Sequence, residues 1–246
     1  MGVVLVTGCS SGIGLETALA FARTGSTVVA TMRNPADDGP LRARAAAQGS
    51  ELEILRLDVT RDDSVTSALD DIEQRHGPVD TLVNNAGIAP SGPLETMDLE
   101  RARATLETNY WGPVRTMRAV LPSMRSRRSG TIVNVSSGAG RLPGLAYNSF
   151  YVSSKKALGA LSESLAVEVA PFGIRVVCVE PAAFRTNMAT NRPGGEIGEG
   201  PYAVAHAAWD ANVKAAIEGG KDPGVVAEAI LAAVSDPTTP TRVFVA

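Results

Sequence analysis

The sequence predicts an α/β fold in which the strands of a parallel sheet alternate with helices. Short apolar runs alternate with segments whose apolar residues repeat at helical spacing, and the first such pair flanks a glycine-rich loop. The chain has 246 residues, 44% of them hydrophobic, which is enough to fill a sizeable core. No internal repeat or low-complexity linker divides it, so we expect one domain over residues 1–246.

Seven apolar runs have the length and composition of buried strands. They span 3–6, 27–32, 52–57, 79–83, 130–137, 174–179 and 242–245. Helical spacing is found at 15–22, 40–48, 65–75, 97–127, 150–170 and 225–234. Strand and helix therefore alternate along nearly the whole chain.

The segment from about residue 186 to residue 221 has a different character, and we expect it to form a mobile flap over the site. Glycines interrupt it at Gly194, Gly195, Gly198 and Gly200. An apolar helix face follows at Val204, Ala208, Val213 and Ile217. The candidate substrate contacts are Met188, Tyr202, His206 and Trp209. For Trp209, packing in the core is the alternative interpretation.

Composition excludes several classes of protein. A net charge of -3 and a pI near 5.5 give no broad electrostatic reason to bind nucleic acid or an anionic membrane. The one basic run, Arg125, Arg127 and Arg128, falls where a helix should end, and cations are favourable there. His76 and His206 have no metal-ligand spacing to the cysteines, so no metal site is predicted.

Cysteine usage and the N-terminus indicate the compartment. Cys9 and Cys178 both lie in apolar stretches, and two cysteines make no disulfide framework, so we expect free thiols. The first residues lack the pattern of a signal peptide, and no apolar run approaches the ~20 residues needed to span a bilayer. We therefore expect a soluble, cytoplasmic protein.

The glycine-rich loop follows the first predicted strand and opens the first predicted helix. Glycines without Cβ atoms let the backbone approach a pyrophosphate, and the helix N-terminus offers free N–H groups to it. A dinucleotide fits this geometry, although glycines also serve tight turns. The candidate residues are Gly8, Ser10, Ser11, Gly12, Ile13 and Gly14.

Residues at the end of the second strand indicate the cofactor type. An acidic residue there would bind the ribose 2′-hydroxyl of NAD, but Met32 occupies the position and Arg33 follows it. Arg33 could pair with a 2′-phosphate, so we expect NADP(H) to be preferred over NAD(H). The alternative is that Arg33 is only a solvated residue at a strand end.

Two further strand ends carry polar or small residues. Asp58, followed by Val59, could accept a hydrogen bond from an adenine amine, or could cap the next helix together with Asp62. The fourth strand runs into Asn85, Ala86 and Gly87, where small side chains allow a nucleotide to approach; a plain turn is the alternative.

A phenol and an amine, Tyr151 and Lys155, lie four residues apart and should share one helix face. An ammonium beside a tyrosine, whose free pKa is about 10, favours the phenolate and makes it usable in proton transfer. The strand before this helix ends in Ser136 and Ser137, which could hold a substrate oxygen. The spacing alone occurs by chance on many helices, so its weight depends on the other motifs.

Pro113 lies inside the predicted helix 97–127, four residues after Asn109. Because proline has no N–H, it cannot bond to the Asn109 carbonyl, which is then free to face solvent or a bound water. We hypothesise that this carbonyl holds a relay water in the active site. A simple kink is the alternative.

Taken together, the glycine loop, Asn84-Asn85-Ala86-Gly87 and Tyr151-x-x-x-Lys155 resemble the short-chain dehydrogenase/reductase family over residues 3–245. The segments 30–34 and 163–173 are most similar to its hydroxysteroid and retinol dehydrogenase branch. The resemblance implies a doubly wound Rossmann sheet of about seven strands, a nicotinamide cofactor, a small-molecule carbonyl or alcohol substrate, and a homodimer or homotetramer paired through the long helix and the tyrosine-bearing helix.

The resemblance also implies roles for individual residues. The expected tetrad is Asn109, Ser137, Tyr151 and Lys155. Tyr151 would protonate the carbonyl oxygen, Ser137 would hydrogen-bond that oxygen, and Lys155 would bind the ribose and depress the tyrosine pKa. Further cofactor contacts are expected from Thr186 and from the backbone after Pro181.

Two departures from the family pattern affect these roles. Ser137 lies fourteen residues before Tyr151, whereas thirteen is usual in the family. We prefer Ser137 as the catalytic serine because Gly140 lies three residues after it, as in the family's S-x-x-G motif. Ser136 is the alternative. Ala182 replaces the glycine that generally follows the proline, which makes the role of Thr186 less certain.

The expected function is NADP(H)-dependent interconversion of a carbonyl and an alcohol, with Tyr151 as the general acid and base. Two alternatives are a nucleotide-binding regulator without turnover and an epimerase or dehydratase that uses bound cofactor. Substrate and direction are not encoded in any motif.

Overall fold

Seven parallel strands form one sheet in the computed structural model, which describes residues 2–188 and 200–246. The strands are β1 Val3–Thr7, β2 Thr27–Met32, β3 Glu53–Arg56, β4 Val79–Asn84, β5 Gly130–Val135, β6 Ile174–Pro181 and β7 Arg242–Val245. Their order across the sheet is β3-β2-β1-β4-β5-β6-β7. The predicted doubly wound α/β fold is confirmed.

Eight α-helices are described, and they connect the strands on both faces of the sheet. They are α1 Gly12–Arg23, α2 Gly39–Ala47, α3 Asp62–His76, α4 Leu99–Leu106, α5 Gly112–Arg127, α6 Ser149–Val169, α7 Ala203–Glu218 and α8 Gly224–Ser235. Two buried apolar clusters lie on opposite faces, one beneath α1 and α8 and the other beneath α3, α5 and α6.

The strand order reverses direction at β1, which pairs with β2 on one side and with β4 on the other. Chain connections leave toward opposite faces at this point, so a crevice opens beyond the carboxyl ends of these strands. Apart from Asn109, which lies in the middle of a helical stretch, the predicted cofactor and catalytic motifs follow the carboxyl end of a strand or lie in the first turns of the next helix. The topology therefore brings them to one edge of the sheet.

One predicted element differs from the structure. The single helix predicted over 97–127 is two helices, α4 and α5, separated by a π-helical segment at Glu107–Trp111. Pro113 explains the change, because its ring would clash with the carbonyl four residues back in a regular α-helix. The wider turn closes instead through the Gly112 N–H, which donates to the Glu107 carbonyl five residues back.

The C-terminal end of α5 agrees with the prediction from the basic run. The helix ends at Arg127, and Arg128 follows in the left-handed conformation with a φ of 54°. The Arg127 guanidinium bonds Asp80 at 2.7 Å and the Val79 carbonyl at 2.8 Å. This arginine thus fixes the end of α5 to the start of β4.

The predicted flap is only partly described. Gly194, Gly195 and Gly198 lie outside the described residues. The expected apolar face of α7 is wrong in its first half, where Val204 is 85% exposed and Ala208 is exposed, whereas Val213 and Ile217 are half-buried. The buried residue of this helix is His206.

Both cysteines are free and buried, as predicted, and burial raises the pKa of Cys9 to about 12 and that of Cys178 to about 11. Such thiols are protonated at neutral pH and are poor nucleophiles. None of the described helices has the length and apolar character required to cross a bilayer.

Candidate active site

The glycine loop lies at the carboxyl end of β1, where the strand order reverses. Gly8 has a φ of +73°, and a Cβ atom on it would lie 2.8 Å from the Ala86 Cα. A Cβ on Gly14 would lie 2.3 Å from the Gly8 carbonyl oxygen. Only glycine fits either position, so the first turn of α1 packs directly on the loop.

The N-terminus of α1 presents N–H groups without a protein cap. Ser11 is the N-cap residue, yet its side chain makes no capping hydrogen bond, and the first turn contains no acidic residue. The early N–H groups of a helix have no intrahelical acceptor and carry partial positive charge. A phosphate group placed at this helix end would accept hydrogen bonds from these N–H groups.

Thr7 and Asn85 hold the glycine loop to the end of β4. The Thr7 hydroxyl accepts hydrogen bonds from the N–H groups of Asn85 at 3.0 Å and Ala86 at 3.1 Å. The Asn85 amide donates to the carbonyls of Thr7 at 2.9 Å and Gly8 at 3.0 Å. The predicted Asn85 and Ala86 are thereby joined to the glycine loop. Sequence reasoning assigned no role to Thr7.

Thr186 reaches the same loop from the segment that follows β6. A Cβ on Gly12 would lie 3.2 Å from the Thr186 Cβ and Cγ2. A depression of about 310 Å³ opens between the two segments, and its lining includes Ser10, Ser11, Gly12 and Thr186. The structure therefore brings Thr186 to the glycine loop despite the alanine at position 182.

Arg33 and Asp58 lie at the ends of β2 and β3. Arg33 is exposed and makes no ion pair with the part of the chain that is described, so its guanidinium is available to a ligand.

Asp58 Oδ1 accepts hydrogen bonds from the Thr60 N–H at 3.0 Å and the Thr60 hydroxyl at 2.7 Å. The alternative of a helix cap is wrong for Asp58, since the N-cap residue of α3 is Arg61. Val59 is buried beneath Gly112 of α5.

Tyr151 and Lys155 occupy consecutive turns of α6 and are both buried. The Lys155 Nζ lies 5.9 Å from the centroid of the Tyr151 ring and donates to the Val135 carbonyl at 2.8 Å. Burial lowers the pKa of Lys155 to about 8, because desolvation disfavours the charged form. The amine remains mostly protonated at pH 7 and adds positive charge beside the phenol.

The two candidate serines differ in what their hydroxyls do. The Ser136 hydroxyl is buried and donates to the Lys155 carbonyl at 2.9 Å, so it is occupied in fixing β5 to α6. Ser137 is half-buried, and its hydroxyl accepts from the Ala139 N–H at 3.1 Å. Accepting one hydrogen bond leaves the Ser137 proton free to be donated.

Asn109 is completely buried in the π-helical segment, and its side chain holds two other parts of the site. Its amide pairs with the Ile88 backbone in both directions, at 2.9 Å and 2.8 Å, and donates to the Ser154 hydroxyl at 3.1 Å. A Cβ on Gly87 would lie 3.3 Å from Asn109 Oδ1 and 3.6 Å from Lys155 Nζ. Asn109, Gly87 and Lys155 therefore meet. The relay-water role of the Asn109 carbonyl stays a hypothesis.

Two of the candidate substrate contacts, His206 and Trp209, pack around Tyr147, a residue that sequence reasoning did not single out. The Tyr147 ring centroid lies 5.0 Å from that of His206 and 5.9 Å from that of Trp209. Tyr147 has a φ of 58°, which is uncommon for a bulky residue. No local pattern marks such a residue in advance. Trp209 is half-buried in this aromatic group rather than in the core.

Two other candidate contacts lie at different depths. Met188 Sδ lies 3.9 Å from the Tyr151 hydroxyl, next to the expected reaction centre. The Tyr202 hydroxyl donates to Glu95 at 2.7 Å in an exposed position, which ties the start of α7 to the loop after β4. No group of three His, Cys, Asp or Glu side chains in residues 2–188 and 200–246 could hold a metal ion.

These features fit a dinucleotide. The loop glycines let the backbone of the loop and the first turn of α1 pack closely together, the uncapped start of α1 suits a pyrophosphate, and Arg33 is exposed at the end of β2, where an adenosine ribose would lie. Lys155 and Tyr151 lie at the other end of the crevice, beyond Gly87.

Comparison with known proteins identifies relatives. A family model described as "short chain dehydrogenase" matches residues 2–196. The chain is 47% identical over 189 residues to "Retinol dehydrogenase 8" from Bos taurus, a match that covers 75% of this chain and 60% of that protein. It is 38% identical over 253 residues to "Estradiol 17-beta-dehydrogenase 1" from Rattus norvegicus, which covers 98% of this chain and 73% of that protein.

Solved structures give the same result. A short-chain dehydrogenase from Streptomyces avermitilis superposes with a TM-score of 0.85 at 40% identity, over 100% of this chain and 88% of that one. An alcohol dehydrogenase from Thermococcus sibiricus complexed with 5-hydroxy-NADP has a TM-score of 0.81 at 26% identity, over 100% of this chain and 96% of that one. A Burkholderia phymatum family member in complex with NAD has a TM-score of 0.87 at 25% identity, over 99% and 88%. The matched motifs, the fold and these relatives agree that the chain belongs to the short-chain dehydrogenase family, in its hydroxysteroid and retinol dehydrogenase branch.

Proposed function

We propose that this protein is an NADP(H)-dependent oxidoreductase that interconverts a ketone or aldehyde with the corresponding alcohol. The observation that carries the proposal is the buried Lys155 amine, 5.9 Å from the Tyr151 ring on one face of α6. A desolvated ammonium beside a phenol serves proton transfer, and neither a sensor nor a structural protein needs it. The chain spans about 60% of the length of the retinol dehydrogenases that it matches, so the activity and the substrate are both part of this proposal.

Tyr151 is the proposed general acid in reduction and the general base in oxidation. The bound nicotinamide ring supplies or accepts the hydride. The Tyr151 hydroxyl gives its proton to the carbonyl oxygen in reduction, and the Lys155 ammonium stabilises the phenolate that remains. Because Lys155 is held by the Val135 carbonyl at 2.8 Å, its charge is fixed in position before substrate arrives.

Ser137 is the proposed second hydrogen-bond partner of the substrate oxygen. Its hydroxyl retains a free proton, whereas the Ser136 hydroxyl is already donated to the Lys155 carbonyl. A donor aimed at the oxygen stabilises the negative charge that develops there in the transition state. The difference between the two hydroxyls supports Ser137 over Ser136.

The test of the proposed chemistry is the removal of the Tyr151 hydroxyl. Tyr151→Phe is expected to reduce kcat by at least about a hundredfold while the Kd for NADPH stays within about threefold of wild type, since the phenol acts on substrate rather than on cofactor affinity. NADPH absorbance decay against a panel of ketones, aldehydes and diketones measures turnover, and fluorescence titration measures binding.

Tyr110→Phe is the matched control, because Tyr110 is a half-buried tyrosine of the π-helical segment whose ring packs on Trp111. Comparable turnover in Tyr151→Phe and in wild type would overturn the assignment. Tight NADPH binding with no decay on any panel member would favour a regulator or a non-redox use of the cofactor.

NADP(H) preference rests on Arg33. The guanidinium is exposed at the end of β2 and unpaired within the described chain, and no carboxylate occupies the position that would bind a ribose 2′-hydroxyl. An arginine can bind a 2′-phosphate through two hydrogen bonds, but it gains little from a hydroxyl. Solved relatives carry either NADP or NAD, so the preference needs a direct measurement.

Arg33→Ala is expected to raise the Kd for NADPH by roughly 10- to 100-fold, the loss of one or two charge-assisted hydrogen bonds, and to change the Kd for NADH by less than about threefold. Paired titrations of NADPH and NADH into both proteins measure this. Arg118→Ala, at an exposed position on α5, is the control. Tighter binding of NADH by the wild-type protein would show that Arg33 does not recognise a phosphate.

The buried amine has a measurable effect on stability. Lys155 has a folded-state pKa near 8, below its ordinary value of 10.5, so the unfolded chain binds more protons between these pH values. The unfolding free energy of the wild type should therefore rise with pH across this window, relative to a variant that lacks the amine.

The comparison is with Lys155→Met. The unfolding free energy of the wild type minus that of the variant should increase by on the order of 1 kcal/mol between pH 8 and pH 9. Denaturant unfolding without cofactor at several pH values measures it. Lys156→Met removes a neighbouring exposed amine and should show no such trend. A difference that does not vary with pH would contradict the low pKa.

A homodimer or homotetramer is the proposed assembly, with pairing through α4, α5 and α6. Large apolar side chains are exposed in this part of the chain: Leu99 of α4 is 59% exposed, Trp111 of the π-helical segment just before α5 is 50% exposed, and Val167 of α6 is 77% exposed. Water-exposed apolar groups of this size are covered when an interface forms. All three lie within the predicted long helix 97–127 or the tyrosine-bearing helix, which are the segments expected to pair, and this supports the assembly.

Val167→Asp is expected to weaken self-association by at least about tenfold, because a charge would be buried at the interface. Val204→Asp, at an exposed site on α7, should leave the assembly unchanged. Sedimentation velocity over a range of protein concentrations distinguishes the species. A wild-type protein that is monomeric throughout would rule out the proposed assembly.

A further inference from the structure

A buried carboxylate, Glu180, lies at the end of β6 between two arginines that come from different parts of the chain. Its side chain is 1% exposed. The Arg141 Nε donates to Glu180 Oε2 at 2.5 Å, and Arg242 of β7 bonds both carboxylate oxygens. Burying a carboxylate is unfavourable unless it is paired, so this cluster calls for an explanation.

We propose that Arg141, anchored on Glu180, is a positioning residue that holds the turn carrying Ser137 in place for the reaction; this inference rests on the proposed function. Arg141 directly follows the 3-10 turn Gly138–Gly140, and Ser137 directly precedes it. The anchor and the hydroxyl are therefore at opposite ends of the same short turn.

Backbone hydrogen bonds make the turn a compact unit. The Gly140 N–H donates to the Ser137 carbonyl at 2.9 Å, and the Arg141 N–H donates to the Gly138 carbonyl at 3.0 Å. The Ser137 hydroxyl accepts from the Ala139 N–H at 3.1 Å. A displacement at the Arg141 end would therefore be transmitted to the Ser137 side chain.

The turn is also packed closely against the end of β6 and against β7. A Cβ on Gly138 would lie 3.0 Å from Phe244 Cε2 and 3.2 Å from the Pro181 carbonyl oxygen. The Arg141 guanidinium carbon lies 5.4 Å from the centroid of the Phe244 ring, a distance typical of a cation–π contact. The bond from Arg141 to Glu180 therefore holds the turn against the end of β6, next to Ala182.

The two arginines are not equivalent, and this difference separates positioning from stability. Arg242 contacts both oxygens of Glu180 and also lies 3.6 Å from Glu163, so it can keep the buried carboxylate paired without help. Arg141 contributes one hydrogen bond to Glu180, and residues 142–144 after it are exposed. Loss of Arg141 therefore removes the anchor of the turn and leaves Glu180 paired.

Three variants test the inference: Arg141→Gln, Arg141→Lys and Arg242→Gln. In Arg141→Gln we expect kcat for the carbonyl substrate to fall roughly 5- to 50-fold with the Kd for NADPH nearly unchanged, since a small misplacement of a hydrogen-bond donor affects the transition state. Arg141→Lys retains a cation at this position and should recover part of the loss. Arg242→Gln should lower the melting temperature more than Arg141→Gln but should lower kcat less.

Amide hydrogen exchange gives a second result that does not depend on turnover. The amides of Gly140 and Arg141 should exchange faster in Arg141→Gln than in Arg242→Gln or in the wild type, because the turn would open more often. Equal exchange rates of these amides in Arg141→Gln and Arg242→Gln would overturn the inference. So would a kcat that falls in proportion to the loss of melting temperature in all three variants, because the effect would then be one of stability and not of positioning. If the wild type has no turnover, the proposed function fails, and the exchange data alone then decide whether Arg141 anchors the turn.

Discussion

The close approach of α1 to the end of β1 is the constraint on which the rest of the site depends. Gly14 packs against the Gly8 carbonyl with no space for a side chain, and Asn85 bonds the same carbonyl from the neighbouring strand. The start of α1 and the end of β4 are thus fixed to one short stretch of backbone. A dinucleotide that fits this edge is aligned with both elements at once.

Polar groups at the centre of the site have mainly internal partners. Asn109 holds the Ile88 backbone, Ser136 holds the Lys155 carbonyl, and Lys155 holds the Val135 carbonyl. Such pairings satisfy buried groups and also restrict how far α6 can move relative to β5. Within residues 2–188 and 200–246, two groups proposed to meet a ligand retain hydrogen-bonding capacity: the Ser137 hydroxyl and the Arg33 guanidinium.

The sequence allowed the fold to be predicted well, because each buried strand is a short apolar run and most of the helices have a clear apolar spacing. Boundaries of most elements agree within three residues, as for α1 and α3. The π-helical segment was missed because its hydrogen bonds depend on the geometry around Pro113, although Pro113 itself was noted. Tyr147 and the Glu180–Arg141 pair were missed for a different reason: they depend on contacts between segments distant in the chain, which no local pattern records.

The π-helical segment also limits how the chain can vary in length. A π turn holds one residue more than an α turn, and each residue of an α-helix rotates the chain by about 100°. Deleting one residue between Glu107 and Trp111 would restore regular α spacing, but it would turn Asn109 away from Ile88 or shift α5 on the sheet. Insertions and deletions that are harmless in a surface loop are therefore excluded at this point of a continuous helical stretch, and relatives that share the Asn109 contacts should have the same number of residues between α4 and α5.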